Sequence, residues 1–263
     1  MDAFETIIYE KSEAIAWLTL NRPDVLNAVN LQMRDELWTA FQAVRDDPDV
    51  AVLIIKGAGD RGFSAGADIS EFGTAPSFVE ARRARRERDL WGLMLGLEKI
   101  LIAAIHGFAL GAGLEMSLCC DLRIAAAARL GLPEVSLGYI PSAGGTQLLP
   151  RTVGPGVAMG MVLSGDAVDA EEALRLGLVH RVVPRERLYT EAEAWARKLA
   201  ARPQLALRYA KEAISQGLSM TLAEGLALES RLATLVLTSD EAGRGLRRTQ
   251  GSRSQSPGRN QRE

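Results

Sequence analysis

Leu101-Ile102-Ala103-Ala104-Ile105-His106-Gly107-Phe108-Ala109-Leu110-Gly111-Ala112-Gly113-Leu114-Glu115 is the stretch on which the fold turns. Its first five residues are aliphatic without interruption, the pattern of a strand buried on both faces. The strand is expected to end at His106-Gly107. The glycines through Gly113 then lead into a short helix carrying Glu115 toward Cys120. Small residues let a ligand approach the backbone, and a helix N-terminus points unpaired N–H groups outward. A second carboxylate, Glu134, follows in Leu132-Pro133-Glu134, ahead of Gly138-Tyr139-Ile140-Pro141-Ser142-Ala143-Gly144-Gly145. Carboxylates among Gly, Ala, Leu and Pro are desolvated wherever the fold buries them. Desolvation raises a carboxyl pKa and makes the group a usable acid or base near neutral pH.

Outward from this stretch, strands and helices alternate. Ala14–Leu20 reads as a strand stopped by Asn21-Arg22-Pro23, and Val50–Lys56 and Leu122–Ala125 as buried strands. Leu31–Asp46 has Met33, Leu37, Phe41 and Val44 at helical spacing. A charged helix is expected over Ser77–Lys99. From Ala170 the pattern is helical, with candidates at Ala170–Leu176, Arg187–Ala201, Gln204–Gln216 and Leu222–Leu237. That order is mixed α/β followed by a helical region. A second small-residue turn, Ser64-Ala65-Gly66-Ala67-Asp68, follows the strand Val50–Lys56. Two backbone N–H groups from two such turns, aimed at one point, make an oxyanion hole.

Composition excludes several classes. A net charge of −2 supplies no global field toward nucleic acid or a membrane surface. The run Ile100–Leu114 is too short to cross a bilayer, and the acidic start Met1-Asp2-Ala3-Phe4-Glu5 is unlike a signal peptide. The cysteines, Cys119 and Cys120, are adjacent and make no disulfide framework, which favours a reducing, cytoplasmic setting. There is no spaced Cys/His cluster, so no metal site is expected.

Taken in order, the motifs resemble the crotonase superfamily, the enoyl-CoA hydratase/isomerase family. They are Asn21-Arg22-Pro23 with Leu26-Asn27-Ala28; Phe63-Ser64-Ala65-Gly66-Ala67-Asp68-Ile69; Ala104 to Gly113; Glu115 with Cys120-Asp121; and Leu132-Pro133-Glu134. Gly138, Ile140-Pro141, Gly144-Gly145-Thr146-Gln147-Leu148, Pro150-Arg151, Leu163-Ser164-Gly165 and Ala173 with Gly177-Leu178-Val179 complete the series. The resemblance covers about Phe4 to Ala242.

It implies an α/β crotonase ββα spiral core with sheets roughly perpendicular to one another, followed by a C-terminal helical trimerisation region. The corresponding boundaries are 1–185 for the core with its acyl-CoA site, 186–242 for the helical region and 243–263 for a tail. That tail has no aliphatic or aromatic residue after Leu246, a composition of disorder, and it departs from the family's usual ending. The implied reaction is reversible syn hydration of a trans-2-enoyl-CoA to a 3-hydroxyacyl-CoA. Glu115 would activate the water that attacks Cβ, and Glu134 would share that water and protonate Cα. The N–H groups of Ala67 and Ala112 would hold the thioester oxygen. Many relatives have Gly at the position of Ala112, so a left-handed backbone there would be strained. Ala65, Ala67, Asp68, Ile69, Ser70 and Ala112 are the implied coenzyme A and substrate contacts. Asp68 also reads as a helix N-cap. Coenzyme A enters as part of the substrate, with no metal or redox cofactor. The implied assembly is a homotrimer or a dimer of trimers. The same resemblance accommodates an isomerase using Glu134 alone, another crotonase-type acyl-CoA reaction, or a catalytically silent CoA-binding scaffold.

Other residues have plainer readings. His106 is better suited to a structural hydrogen bond than to catalysis. Arg82 to Arg88 reads as a solvated helix face, and Cys119 and Cys120 as small core residues. Trp91 and Met94 fit the acyl pocket and the core equally. Asp24 stands where many relatives have Lys, and Ser142 where many have Gly.

Overall fold

The computed structural model describes residues 4–71 and 88–240. Among the described residues, seven strands form one hydrogen-bonded sheet in the order β1-β2-β3-β4-β5-β6, with β7 also paired to β5. β1 (Ile7–Ser12) and β2 (Ile15–Leu20) are an antiparallel hairpin. β3 (Val52–Gly57), β4 (Ile100–Leu110) and β5 (Leu122–Gly131) continue from β2 in parallel. β6 (Val168–Asp169) pairs with β5 antiparallel, and β7 (Arg181–Val182) pairs with it in parallel.

Helix α1 (Leu31–Asp46) buries Met33, Leu37, Ala40, Phe41 and Val44, the stripe its spacing predicts. Asn30 caps it, accepting from the Met33 N–H at 2.9 Å. α2 (Leu90–Leu95) is capped by Asp89 and ends before Gly96, so the helix expected over Ser77–Lys99 is corrected at its end: residues 96–99 are not helical, and residues 77–87 lie outside the described residues. α3 (Ala112–Leu118) follows β4, and α4 (Gly145–Val153), α5 (Pro155–Ser164) and α6 (Ala170–Arg175) follow β5.

The expected end of β4 at His106-Gly107 is corrected: the strand runs on to Leu110. Ile105 pairs with Ala125 but Gly107 pairs with Ala128, so the register breaks between them. Gly107 has φ +60°, and a Cβ there would lie 2.0 Å from the Arg61 carbonyl oxygen. Only glycine lets the strand pass that point. The ladder is continuous across the break, where separate sheets were expected. Its distal half carries the loop Phe63–Ala67 along its edge. The Phe63 N–H donates to His106 O, the Ser64 N–H to Phe108 O and the Leu110 N–H to Ser64 O.

The chain divides into two compact units after Leu199. Most of α7 (Leu188–Ala200) belongs to the first unit, beyond the boundary expected after residue 185; it buries Leu188, Ala192 and Ala196. The second unit holds α8 (Gln204–Gly217) and α9 (Leu222–Leu237). α9 opens with a reciprocal capping box between Thr221 and Glu224. On α9, Leu228 and Leu232 are buried, whereas Leu222 is 80% and Leu226 55% exposed. No helix among the described residues is long and apolar enough to cross a membrane. The expected tail 243–263 lies outside the described residues.

Candidate active site

Glycine places Glu115. Gly111 turns the chain from β4 into α3 with φ +50°. Gly113 packs so tightly on the Phe63–Ala67 loop that a Cβ would lie 2.5 Å from the Ser64 carbonyl oxygen. Glu115, one turn into α3, is 2% exposed. Its Oε1 accepts 2.8 Å hydrogen bonds from the Ala143 and Gly145 N–H groups, at the start of α4. Two backbone donors at a helix N-terminus hold a carboxylate strongly. A Cβ on Gly145 would lie 2.9 Å from that oxygen, so the close approach depends on glycine.

Glu134 sits in the 3-10 segment Pro133–Leu137 just after β5 and is 4% exposed. Its Oε2 is buried with no hydrogen-bond partner among the described residues. A Cβ on Gly111 would lie 2.9 Å from its Oε1, so this carboxyl rests against the turn that opens α3. Burial, with the neighbouring Glu115 charge as a lesser cause, pushes Glu134 up to about 7. The same two carboxyls, after burial, raise the Tyr139 phenol.

The two expected oxyanion donors lie on adjoining turns. Val29 and Ala67 form an isolated parallel bridge whose bonds run from the Val29 N–H to Gly66 O and from the Asp68 N–H to Val29 O. The N–H of Ala67 therefore points away from Val29, and it has no acceptor among the described residues. Ala112 is the first residue of α3, where the N–H has no intrahelical partner. Gly66 has φ +105°, and a Cβ built there would be 3.4 Å from the Ala112 nitrogen. The left-handed backbone falls on Gly111, not Ala112, so alanine is unstrained at the donor position.

The expected coenzyme contacts are on the same loop. The Ala65 N–H donates to Leu26 O at 2.9 Å. Asp68 accepts from the Ser70 hydroxyl at 2.6 Å and from Arg22 Nη1 at 2.8 Å, and these bonds hold its carboxyl below the usual range. It thus fixes the short 3-10 turn Ile69–Glu71, with Ile69 and Ser70 exposed at the rim. Two supports were named in the sequence only as motif letters. Buried Asn27, at φ +55°, donates from Nδ2 to Ala58 O and Gly62 O and accepts from the Arg22 N–H. The Ser64 hydroxyl donates to Asn27 O. Gly145 likewise carries a role, donation to Glu115, that its place in a Gly-Gly pair does not reveal.

A model of the family described as enoyl-CoA hydratase/isomerase matches residues 10–253. The chain belongs to the enoyl-CoA hydratase/isomerase family. The crotonyl-CoA hydratase of Syntrophomonas wolfei is 44% identical over 230 residues, covering 87% of this chain and 88% of that protein. The short-chain-enoyl-CoA hydratase of Clostridium acetobutylicum is 39% identical over 225 residues, covering 85% and 86%. The solved structure of an enoyl-CoA hydratase subunit from Geobacillus kaustophilus superposes with a TM-score of 0.91 at 36% identity, covering 99% of each chain.

Within this enoyl-CoA hydratase/isomerase chain, the remaining candidates take structural places. His106 Nε2 pairs with Gly59 O at 3.0 Å inside β4, its ring 6.3 Å from that of Tyr189, and burial lowers its pKa. Met94 is buried in the main core, and Trp91 packs against it. Burial pushes the Cys119 thiol far up, as suits a core residue. Arg88 pairs with Asp35, while Arg82 to Glu87 lie outside the described residues.

Proposed function

We propose that this chain reversibly hydrates trans-2-enoyl-CoA thioesters to 3-hydroxyacyl-CoA, with Glu115 and Glu134 sharing the reacting water. The observation that carries the reading is the contrast between two neighbouring buried carboxyls. One is fixed by two backbone N–H groups, and the other titrates near neutrality with an unpartnered oxygen. Glu115 accepts a proton from the water as its oxygen adds to Cβ. Glu134 delivers a proton to Cα on the same face, giving syn addition. Between these events negative charge sits on the thioester oxygen, where the Ala67 and Ala112 N–H groups bind it. Preorganised donors of this kind contribute about 10²–10³ in rate each. Membership of the family and the hydratase names of its relatives support the substrate class.

Coenzyme A enters as part of the substrate, along the loop Ala65–Ser70 stiffened by Arg22 and Asp68. The reaction as written balances without a metal or a redox cofactor. The proposed assembly is a homotrimer or a dimer of trimers, which the exposed leucines of α9 support.

Loss of enoyl absorbance with crotonyl-CoA and with longer, branched and cyclic enoyl-CoAs tests the reading. Glu115→Gln and Glu134→Gln are each expected to lower kcat by about 10²–10⁴. Full activity in Glu115→Gln would point instead to an isomerase using Glu134 alone. A wild type inert on every substrate would sink the hydratase assignment.

A further inference from the structure

We propose that a second cavity, lined by none of the residues assigned to hydration, binds a phosphate-class oxyanion. It has a volume of about 250 Å³ and lies where β3 ends beside the start of α7. Its chemistry comes from Thr19, Lys56, Gly59, Asp60, Arg185 and Tyr189.

The charges on this lining are unbalanced. The Lys56 ammonium lies 4.9 Å from the Trp17 ring centroid and 5.0 Å from that of Tyr189, and it pairs with no carboxylate among the described residues. The Arg185 guanidinium lies 4.9 Å from the same Tyr189 ring, so two cations share one aromatic neighbour. One acid, Asp60, lines the cavity, 3.6 Å from Arg185; its side chain is fully exposed, where water screens it. Both cations line the cavity, so an anion within it is offered an ammonium and a guanidinium together.

Thr19 adds a neutral donor. The residue is 5% exposed overall and lines the cavity, and its hydroxyl makes no hydrogen bond to a described residue. That hydroxyl is not among the buried unpaired atoms, so it is open to the cavity and available to a ligand. The donors gathered here are an ammonium, a guanidinium fork and a hydroxyl, the set that meets a tetrahedral oxyanion through several charge-assisted bonds at once. Tyr189 is held as a wall, its hydroxyl donating to Gly57 O at 3.3 Å and accepting from Arg185 at 3.4 Å. Gly59, at φ +71°, brings backbone to the rim without a side chain. The phosphate can be the free ion or a phosphate of coenzyme A.

Calorimetric titration of the full chain with inorganic phosphate tests this, using wild type, Lys56→Met and Thr19→Val. Saturable binding is expected in wild type. Lys56→Met should weaken it about tenfold or more, and Thr19→Val by a smaller factor, with melting temperature and crotonyl-CoA turnover retained. Should Lys56→Met fold poorly, Arg185→Gln carries the same expectation. Repeating the titration with saturating coenzyme A separates the sources. Competition assigns the site to the coenzyme's phosphate, and undiminished binding assigns it to the free ion. Absence of saturable binding in wild type, or equal binding in the variants, overturns the proposal.

Discussion

The carboxyl of Glu134 is buried with one oxygen lacking a partner among the described residues, and burial pushes it from 4.5 up to about 7. Between those two values the folded chain holds a proton that the unfolded chain has released. Stability therefore falls as pH rises through that window and levels off above about 7. Glutamine cannot ionise, so Glu134→Gln should remove the decline. At pH 8 it should be more stable than wild type by about 1–3 kcal/mol, with little difference at pH 4. Denaturant titrations at the two pH values check this, and an unchanged difference would show that Glu134 is not burdened by burial. The same group sets an expectation for catalysis. As the proton donor to Cα, it should give the hydration rate a limb falling above about pH 7, absent from the residual activity of Glu134→Gln. Glu115 and Glu134 were legible as a pair because apolar neighbours surround both in the sequence. The donors that hold Glu115 were not, since the Ala143 and Gly145 N–H groups are backbone and carry no letter of their own.

At the scale of elements, α1 was legible to the residue because Met33, Leu37, Phe41 and Val44 keep helical spacing. β1 was not, because as an edge strand it buries only Ile7 fully and shows no clean alternation. α4 opens with Gly144-Gly145 and contains Pro150, both signals of a loop. α5 is apolar on most sides, with Ala158 and Met161 buried but Met159 and Leu163 exposed, so no stripe marks it. The continuation of β4 was hidden by Gly107, which reads as a terminator and acts as a register break. The meeting of the two glycine turns is likewise a property of elements. The loop Phe63–Ala67 is bonded to the far half of β4, and this brings Gly66 beside the first nitrogen of α3. A methyl on Gly66 would lie 2.8 Å from the Leu110 carbonyl oxygen, in a backbone region that alanine avoids. Gly66→Ala should therefore displace the Ala67 N–H and lower kcat by about 10²–10³, with the chain still folded. Steady-state kinetics beside circular dichroism would decide; a folded variant with wild-type kcat would remove Ala67 from the proposed oxyanion hole.

For the molecule as a whole, the second unit raises the question of what its apolar surface is for. Leu222 and Leu226 of α9 are exposed, as are Ile214, Leu218 and Leu237, while Leu228 and Leu232 are already buried within the chain. Exposed leucines clustered on a short helical pair favour association with another apolar surface. Because α9 has its own capping box and a buried pair of leucines, a charge at an exposed position should leave the helix intact. Leu226→Glu is therefore expected to keep the wild-type circular dichroism spectrum while shifting the particle to a smaller mass. Copies of one chain would place the same glutamate at each equivalent contact, and like charges brought together across an interface cost several kcal/mol. Sedimentation equilibrium over a range of concentrations reads the outcome directly. A trimer or hexamer that dissociates in Leu226→Glu supports the helical unit as the self-association surface. A wild type that is monomeric throughout, or a variant of unchanged mass, would assign those leucines no part in assembly.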